Sequence, residues 1–315
     1  MRDSPIRLGI SRCLLGDEVR FDGGHKQDQF LTDVLGRYVE WVPVCPEVEA
    51  GLGTPREPMR LVGNPWRPRL MTITSNRDHT GAIETMIEGR LGSLHDLSGF
   101  VFKKGSPSCG LERVPMYTEQ GTPNHSCSGI FSQAFRDRFP LIPIEDEGRL
   151  YDSTLRENFI ERVFCYRRFQ DLMLYGVTKQ ALIRFHTIHK YLLLSHSQSH
   201  YEGMGRLVGQ ADRYRPKELV VKYGNLFMKT LALKSTARKH VNVLHHLVGS
   251  FTSRLKAHEK AELLGVIDDY HRGLTPLIVP LTLIKHYVRV FDVDSIRDQV
   301  YLNPHPKELM LRNHV

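Results

Sequence analysis

The chain has 315 residues, 41% of them hydrophobic and 25% charged, the balance of a globular protein with room for two domains. No apolar run approaches the roughly 18–20 residues of a membrane span, and the N-terminal MRDSPIRLGIS lacks an apolar signal core. A cytoplasmic protein without a membrane partner is expected. The formal net charge of +8 is unevenly spread: residues 151–315 hold 25 Lys+Arg against 15 Asp+Glu, which leaves 18 against 20 for residues 1–150 out of totals of 43 and 35. A basic half beside a near-neutral one implies a polyanion for the first and separate work for the second.

In chain order, IRLGIS (6–11), YVEWVPV (38–44), LMTIT (70–74), GFVFKK (99–104) and PLIPIE (140–145) read as strands. Between them DQFLTDVLGRY, TGAIETMIEGRLGSLH and SGIFSQAFRDRF have helical spacing. This alternation predicts an α/β domain over residues 1–148, with a parallel, Rossmann-like sheet and helices on both faces. The polar DEGRLYDST (146–154) is the linker candidate. Residues 149–315 then read as a basic all-α domain, with helical patterns over 155–176, 179–197, 216–234, 235–273 and 275–291.

Five cysteines stand at 13, 45, 109, 127 and 165. They are too few for a disulfide framework, and no Cys-x-x-Cys pair marks a zinc ribbon. Cys13, Cys45 and Cys109 each follow a predicted strand, beside Gly or Pro and about 32 and 64 residues apart. Functional groups of an open parallel sheet gather outside the carboxyl ends of its strands, so these three can meet. Structural zinc wants four closed ligands, whereas a [4Fe–4S] cluster on three cysteines keeps one iron open for a substrate atom. The bland alternative is three buried thiols serving as core. Cys127 and Cys165 lie in helical patterns and read as core.

The segments SRCLLG…VRFDGG, VCPEVEAGLGTPR and KKGSPSCG, in that order, closely resemble the signatures of the thiouracil desulfidase family over about residues 1–145. FHTIHKYLLLSHS, ARKHVNVLHHLVG and PLIVPLTLIKHYV resemble the helical domain fused to such desulfidases in bacterial proteins that remove sulfur from 4-thiouridine in tRNA. The resemblance implies that Cys13, Cys45 and Cys109 hold a [4Fe–4S] cluster and that Glu47 and Ser106 are catalytic. It implies a non-redox hydrolysis releasing sulfide, with the open iron binding the thiocarbonyl sulfur. Glu47 would position or deprotonate water, Ser106 would relay a proton or bond the pyrimidine edge, and Arg56 and Lys104 would neutralise developing charge. Arg56, Lys104 and Ser108 are the expected substrate-binding residues.

In the helical half, His186, His189 and Lys190 share one face by spacing, as do Arg238, Asn242 and His245. Together with Arg184, Lys239, His240 and His246 they suit phosphate and 2′-OH contacts better than a second metal site. Lys190, Arg238 and Lys239 are the expected RNA-binding residues, tRNA carrying 4-thiouridine the expected partner. Two other readings stay open: a desulfidase of free thiouracil-type bases, and a nucleic-acid-binding redox sensor with a structural cluster.

Overall fold

The computed structural model describes residues 5–174 and 178–314. Its contacts divide the chain into two compact units, 1–155 and 156–315.

Unit 1 is built on a four-stranded parallel sheet, ordered β2-β1-β5-β8. Its strands are β1 (Ile6–Ser11), β2 (Val39–Val44), β5 (Gly99–Phe102) and β8 (Ile144–Asp146). The chain leaves β1 first toward β2 and later returns on the other side as β5, so the strand order reverses at β1, where ligands of such sheets bind. Helices α1 (Pro46–Glu49), α2 (Thr80–Leu91) and α3 (Ile130–Arg138) accompany the sheet. Phe100 and Phe102 project from one face of β5, stacked with centroids 4.0 Å apart. Phe131 and Phe135 of α3 meet them at 5.0–6.0 Å. All four are fully buried, each gaining about 2–3 kcal/mol from leaving water. Gly9 makes room for this cluster, because a Cβ there would lie 2.1 Å from the Phe100 ring.

A second sheet, ordered β4-β3-β6-β7, is an addition to the sequence expectation. It consists of β3 (Met59–Asn64), β4 (Arg67–Thr72), β6 (Val114–Tyr117) and β7 (Pro123–Cys127). The LMTIT run belongs here, paired antiparallel with β3, not to the parallel sheet. Strands β3, β6 and β7 escaped the sequence reading because Arg60, Gly63, Pro115, Pro123 and His125 interrupt their apolar alternation. Cys127, expected inside a helix, ends β7 and is half-buried. The segment 28–38 winds as a π turn (Phe30–Val34) and a 3-10 turn (Leu35–Arg37) instead of an α-helix. The expected linker 146–154 closes β8, forms a 3-10 turn and enters α4 (Ser153–Leu174).

Unit 2 is helical. After α4 come α5 (Lys179–Ile188), α6 (Lys190–His196), α7 (Gln198–Gly209), α8 (Pro216–Leu231), α9 (Ala237–Gly249), α10 (Ala257–His271), α11 (Ile278–Val290) and the short α12 (Asp294–Arg297). Part of the pattern over 155–176 lies outside the described residues. The pattern over 179–197 breaks in two at His189, whose ring Nδ1 donates to the Phe185 carbonyl at 2.7 Å while its backbone leaves the helical region. Phe169, Phe185, Tyr223 and Phe227 form the aromatic core. Cys165 is fully buried on α4. Beside it lies a buried polar network: His196 Nε2 meets Glu161 at 2.7 Å, and Arg312 reaches Glu157 at 3.2 Å and Glu161 at 3.3 Å. Burial alone would raise the Glu161 pKa, but the His196 bond and the His196 and Arg312 charges outweigh it and hold the carboxyl at about 2. Among the described residues no helix is long and apolar enough to cross a membrane.

Candidate active site

Because β1, β2 and β5 are parallel neighbours, the loops after them open at the same end of the sheet. Ser11 pairs with Val44 at the top of the ladder, so Cys13 and Cys45 emerge side by side. Cys13 sits in the 3-10 turn Arg12–Leu15, and its carbonyl accepts the Lys26 N–H at 2.9 Å, folding residues 17–26 back over it. Cys45 precedes α1, and Glu49 accepts its N–H at 3.1 Å. Cys109 ends the Ser-Pro-Ser-Cys turn after β5, which the start of α3 pins: Ile130 and Phe131 donate to the carbonyls of Pro107 and Ser108 at 3.2 and 3.0 Å. Gly129 permits that approach, since a Cβ there would stand 2.5 Å from the Ser108 carbonyl.

The three cysteines line one cavity of about 320 Å³, together with Glu47, Arg56, Lys104 and Ser106. Cys45 Sγ donates to Glu47 Oε2 at 3.5 Å, and Arg56 Nη2 stands 3.8 Å from the same oxygen. Arg56 is anchored through Nη1, which donates to the carbonyls of Val19 at 3.0 Å and Gly53 at 2.9 Å. Ser106 Oγ accepts the N–H groups of Ser108 and Cys109 at 3.2 and 3.1 Å, so its own O–H is left to donate. Lys104 is exposed at the rim, its N–H donating to Glu147 at 2.6 Å. Ser108 behaves otherwise: it is fully buried and does not line the cavity, its backbone serving the turn instead. Alternation within that tight turn carries its side chain inward, which sequence spacing alone does not display.

Further lining residues were missed in the sequence: Arg12, Arg20, Lys26 and Lys103. Lys103 pairs with Glu147, and its backbone N–H donates to Ser11 Oγ at 2.9 Å. Glu47 is thus the sole carboxylate among the lining residues, against six basic side chains. The signal was present as Arg12 and Lys103 flanking the strand ends.

All three lining thiols are held protonated. Burial pushes Cys13 up to about 11 and Cys45 up to about 12, where the Glu47 charge adds to it; Cys109 lies well above the ordinary value for the same two reasons. Among the described residues no three His, Cys, Asp or Glu side chains converge on a point where one metal ion would sit. A tetrahedral zinc with bonds of about 2.3 Å would need its thiolates about 4 Å apart. Three buried thiols around one cavity are soft donors of the kind that would hold a polynuclear iron–sulfur cluster, each thiolate serving its own iron.

Residues 8–147 match the family model described as 2-thiouracil desulfurase. An uncharacterised Bacillus subtilis (strain 168) protein, YbbK, is 31% identical over 111 residues, 32% of this chain and 71% of that one. The chain belongs to the 2-thiouracil desulfurase family. The desulfurase match supports a desulfidase role for unit 1. Residues 190–306 match a second model, described as a protein of unknown function, DUF1722. Uncharacterised YbgA of Escherichia coli (strain K12) is 33% identical over 168 residues, 52% of this chain and 95% of that one. Among solved structures, a [4Fe–4S]-dependent thiouracil desulfidase, TudS, shares 30% identity, covering 46% of this desulfurase-family chain and 93% of its own, at a TM-score of 0.39.

In unit 2 the expected RNA-binding residues part company. Arg184, Arg238, Asn242, His245 and His246 are exposed, and Lys190 is half-exposed with its ammonium 5.1 Å from the Tyr191 ring. Lys239 is committed internally, its ammonium donating to the carbonyls of His196 at 2.7 Å and Lys234 at 3.3 Å. His186 and His189 are core, the first 3.2 Å from the Tyr223 hydroxyl and stacked on Tyr201. His240 bonds the Tyr301 hydroxyl at 2.8 Å. The 179–190 face is therefore inward where histidine lies, and the 238–245 face is outward.

Proposed function

We propose that the chain removes sulfur from 4-thiouridine in tRNA to give uridine, by hydrolysis without redox change, with a [4Fe–4S] cluster on Cys13, Cys45 and Cys109. The observation that carries this reading is the meeting of three buried thiols with one carboxylate, Glu47, in a cavity whose other charged lining residues are all basic. A cluster held by three thiolates offers a soft Lewis-acid position to a thiocarbonyl sulfur when bound. The rest falls to the protein. Water supplies the oxygen that replaces sulfur at C4, and its two protons leave with the sulfur as hydrogen sulfide, so no electron donor is required.

Glu47 is the group able to take a proton from that water. It stands next to Cys45 and is oriented by Arg56. Ser106, with both acceptor positions used by the backbone, acts as a hydrogen-bond donor to the pyrimidine rather than as a relay. Arg56, Lys103 and Lys104 offset negative charge as it grows in a site partly closed to water. A cavity of about 320 Å³ suits a single base, so a nucleotide within tRNA would have to leave its stack. The excess of basic residues in 151–315 supports tRNA over a free base. Anaerobically reconstituted protein should release sulfide from thiolated tRNA faster than from free 4-thiouracil; equal or reversed rates would favour the free-base reading.

A further inference from the structure

The β3–β4 hairpin ends in the turn Asn64-Pro65-Trp66-Arg67, and Trp66 is 94% exposed. Isolated exposed aliphatic side chains are ordinary, but an entire indole in water sacrifices the largest apolar surface of any residue. The turn holds it there: Trp66 N–H donates to Asn64 Oδ1 at 2.9 Å, and Pro65 and Pro68 fix φ on either side. The ladder pairs Asn64 with Arg67, Val62 with Arg69 and Arg60 with Met71. With side chains alternating along each strand, Arg60, Arg67 and Arg69 lie on one face. β6 adds Tyr117 opposite Val62, and Arg60 covers its ring at 5.3 Å. Acids touch this face at Arg69, which pairs with Glu119 and, at 3.9 Å, with Asp78.

We propose that this hairpin binds RNA, with Trp66 stacked on an unpaired base and the arginine face lying along the adjoining phosphates. Aromatic platforms interleaved with guanidinium groups are how proteins hold single-stranded nucleic acid. A protein or bilayer partner would call for apolar neighbours around the indole, whereas those of Trp66 are Asn64, Pro65 and Arg67. The proposal rests on the tRNA reading above and places a second contact on the catalytic unit itself. Met59, at the foot of β3, lines the cavity; the five strand steps from Met59 to Asn64 span about 17 Å, and Trp66 lies in the turn beyond them. Trp66 therefore grips RNA away from the reacting nucleotide, and its loss should weaken binding and leave chemistry on a small substrate alone.

The chain has two tryptophans, so Trp41→Phe leaves Trp66 as the sole indole reporter. In the cluster-loaded protein, oligouridylate and tRNA should each quench its fluorescence. In the otherwise native chain Trp66→Ala should weaken tRNA affinity roughly 5- to 100-fold, as loss of one stacked base does, and Trp66→Phe should restore most of it. Release of sulfide from free 4-thiouridine should be the same in all three proteins. No quenching together with unchanged affinity of Trp66→Ala overturns the proposal. Quenching by anionic phospholipid vesicles and not by RNA overturns it in favour of a membrane surface. Sulfide release from thiolated tRNA by the native protein is scored separately. Quenching by RNA without sulfide sinks the enzymatic reading and leaves the hairpin; sulfide without quenching does the reverse.

Discussion

Cys13, Cys45 and Cys109 are neutral thiols until a ligand takes their protons, since burial and the nearby Glu47 raise all three pKa values. Cluster assembly would therefore release protons and fix thiolates that burial and Glu47 disfavour. Changing any one of the three to serine should abolish iron retention and activity together, measured as iron and acid-labile sulfide per chain. Cys127→Ser and Cys165→Ser should retain iron, because neither residue lines the cavity. Glu47→Gln tests a different property. It keeps the shape beside Cys45 and Arg56 but removes the base, so iron content should hold while sulfide release falls roughly 10²- to 10⁴-fold. An unchanged rate would remove Glu47 from the mechanism. These residues were legible in the sequence because each stands within a few positions of a strand end or a Gly/Pro turn, where local pattern and site coincide. Ser108 shows the limit: one position from Cys109, it turns inward, and only the hydrogen bonds between the turn and α3 reveal it.

At the scale of elements, the parallel strands were legible because they are continuous apolar runs bounded by turn residues, and the second sheet was not. β3 and β7 carry arginine, proline and histidine where alternation would show apolar residues, and the β3–β6 pairing that joins the two hairpins links residues distant in sequence. Histidines in α5 misled for the opposite reason. Helical spacing put His186, His189 and Lys190 on one face, but it does not say whether that face meets water. Both histidines are buried, and burial lowers their pKa values from 6.5 to about 4 for His186 and about 3 for His189. The unfolded chain consequently binds more protons than the native one between those values and about 6.5, and stability is lost as pH falls through that window. Glu161, held at about 2, adds a loss below about 4.5 in the same direction. The unfolding free energy of the chain in urea titrations, and with it the midpoint, should drop between pH 7 and pH 5.5, the free energy by about 1 kcal/mol for each of the two histidines. His186→Gln should shrink that pH dependence, and a midpoint that does not move with pH would contradict the burial of these rings.

For the molecule as a whole, charge was read correctly in sum and incompletely in place. Residues 1–150 balance at 18 basic against 20 acidic, yet the cavity lining gathers six cations around one carboxylate; acids just outside the lining pair with some of them, Asp17 with Arg12, Asp22 with Arg20 and Glu147 with Lys103. In residues 151–315 the surplus is real, but its members differ in what they can reach. Arg238 is exposed on the outer face of α9, beside exposed Asn242 and His245. Lys239, its neighbour in sequence, spends its ammonium on the carbonyls of His196 and Lys234, where α6 ends and a cation complements its dipole. If tRNA is held through phosphates, the logarithm of affinity should fall linearly with the logarithm of salt concentration, by close to one unit of slope per phosphate neutralised. Arg238→Gln should flatten that slope by about one and leave thermal stability within about 0.5 kcal/mol. Lys239→Met should do the converse, lowering stability by about 1 kcal/mol through the orphaned helix end while the slope stays put. Measuring both variants at several salt concentrations, with unfolding followed alongside, separates the two roles. A slope unaffected by Arg238→Gln removes that face of α9 from the RNA contact, and a slope altered by Lys239→Met would mean that its ammonium exchanges the carbonyls for phosphate on binding.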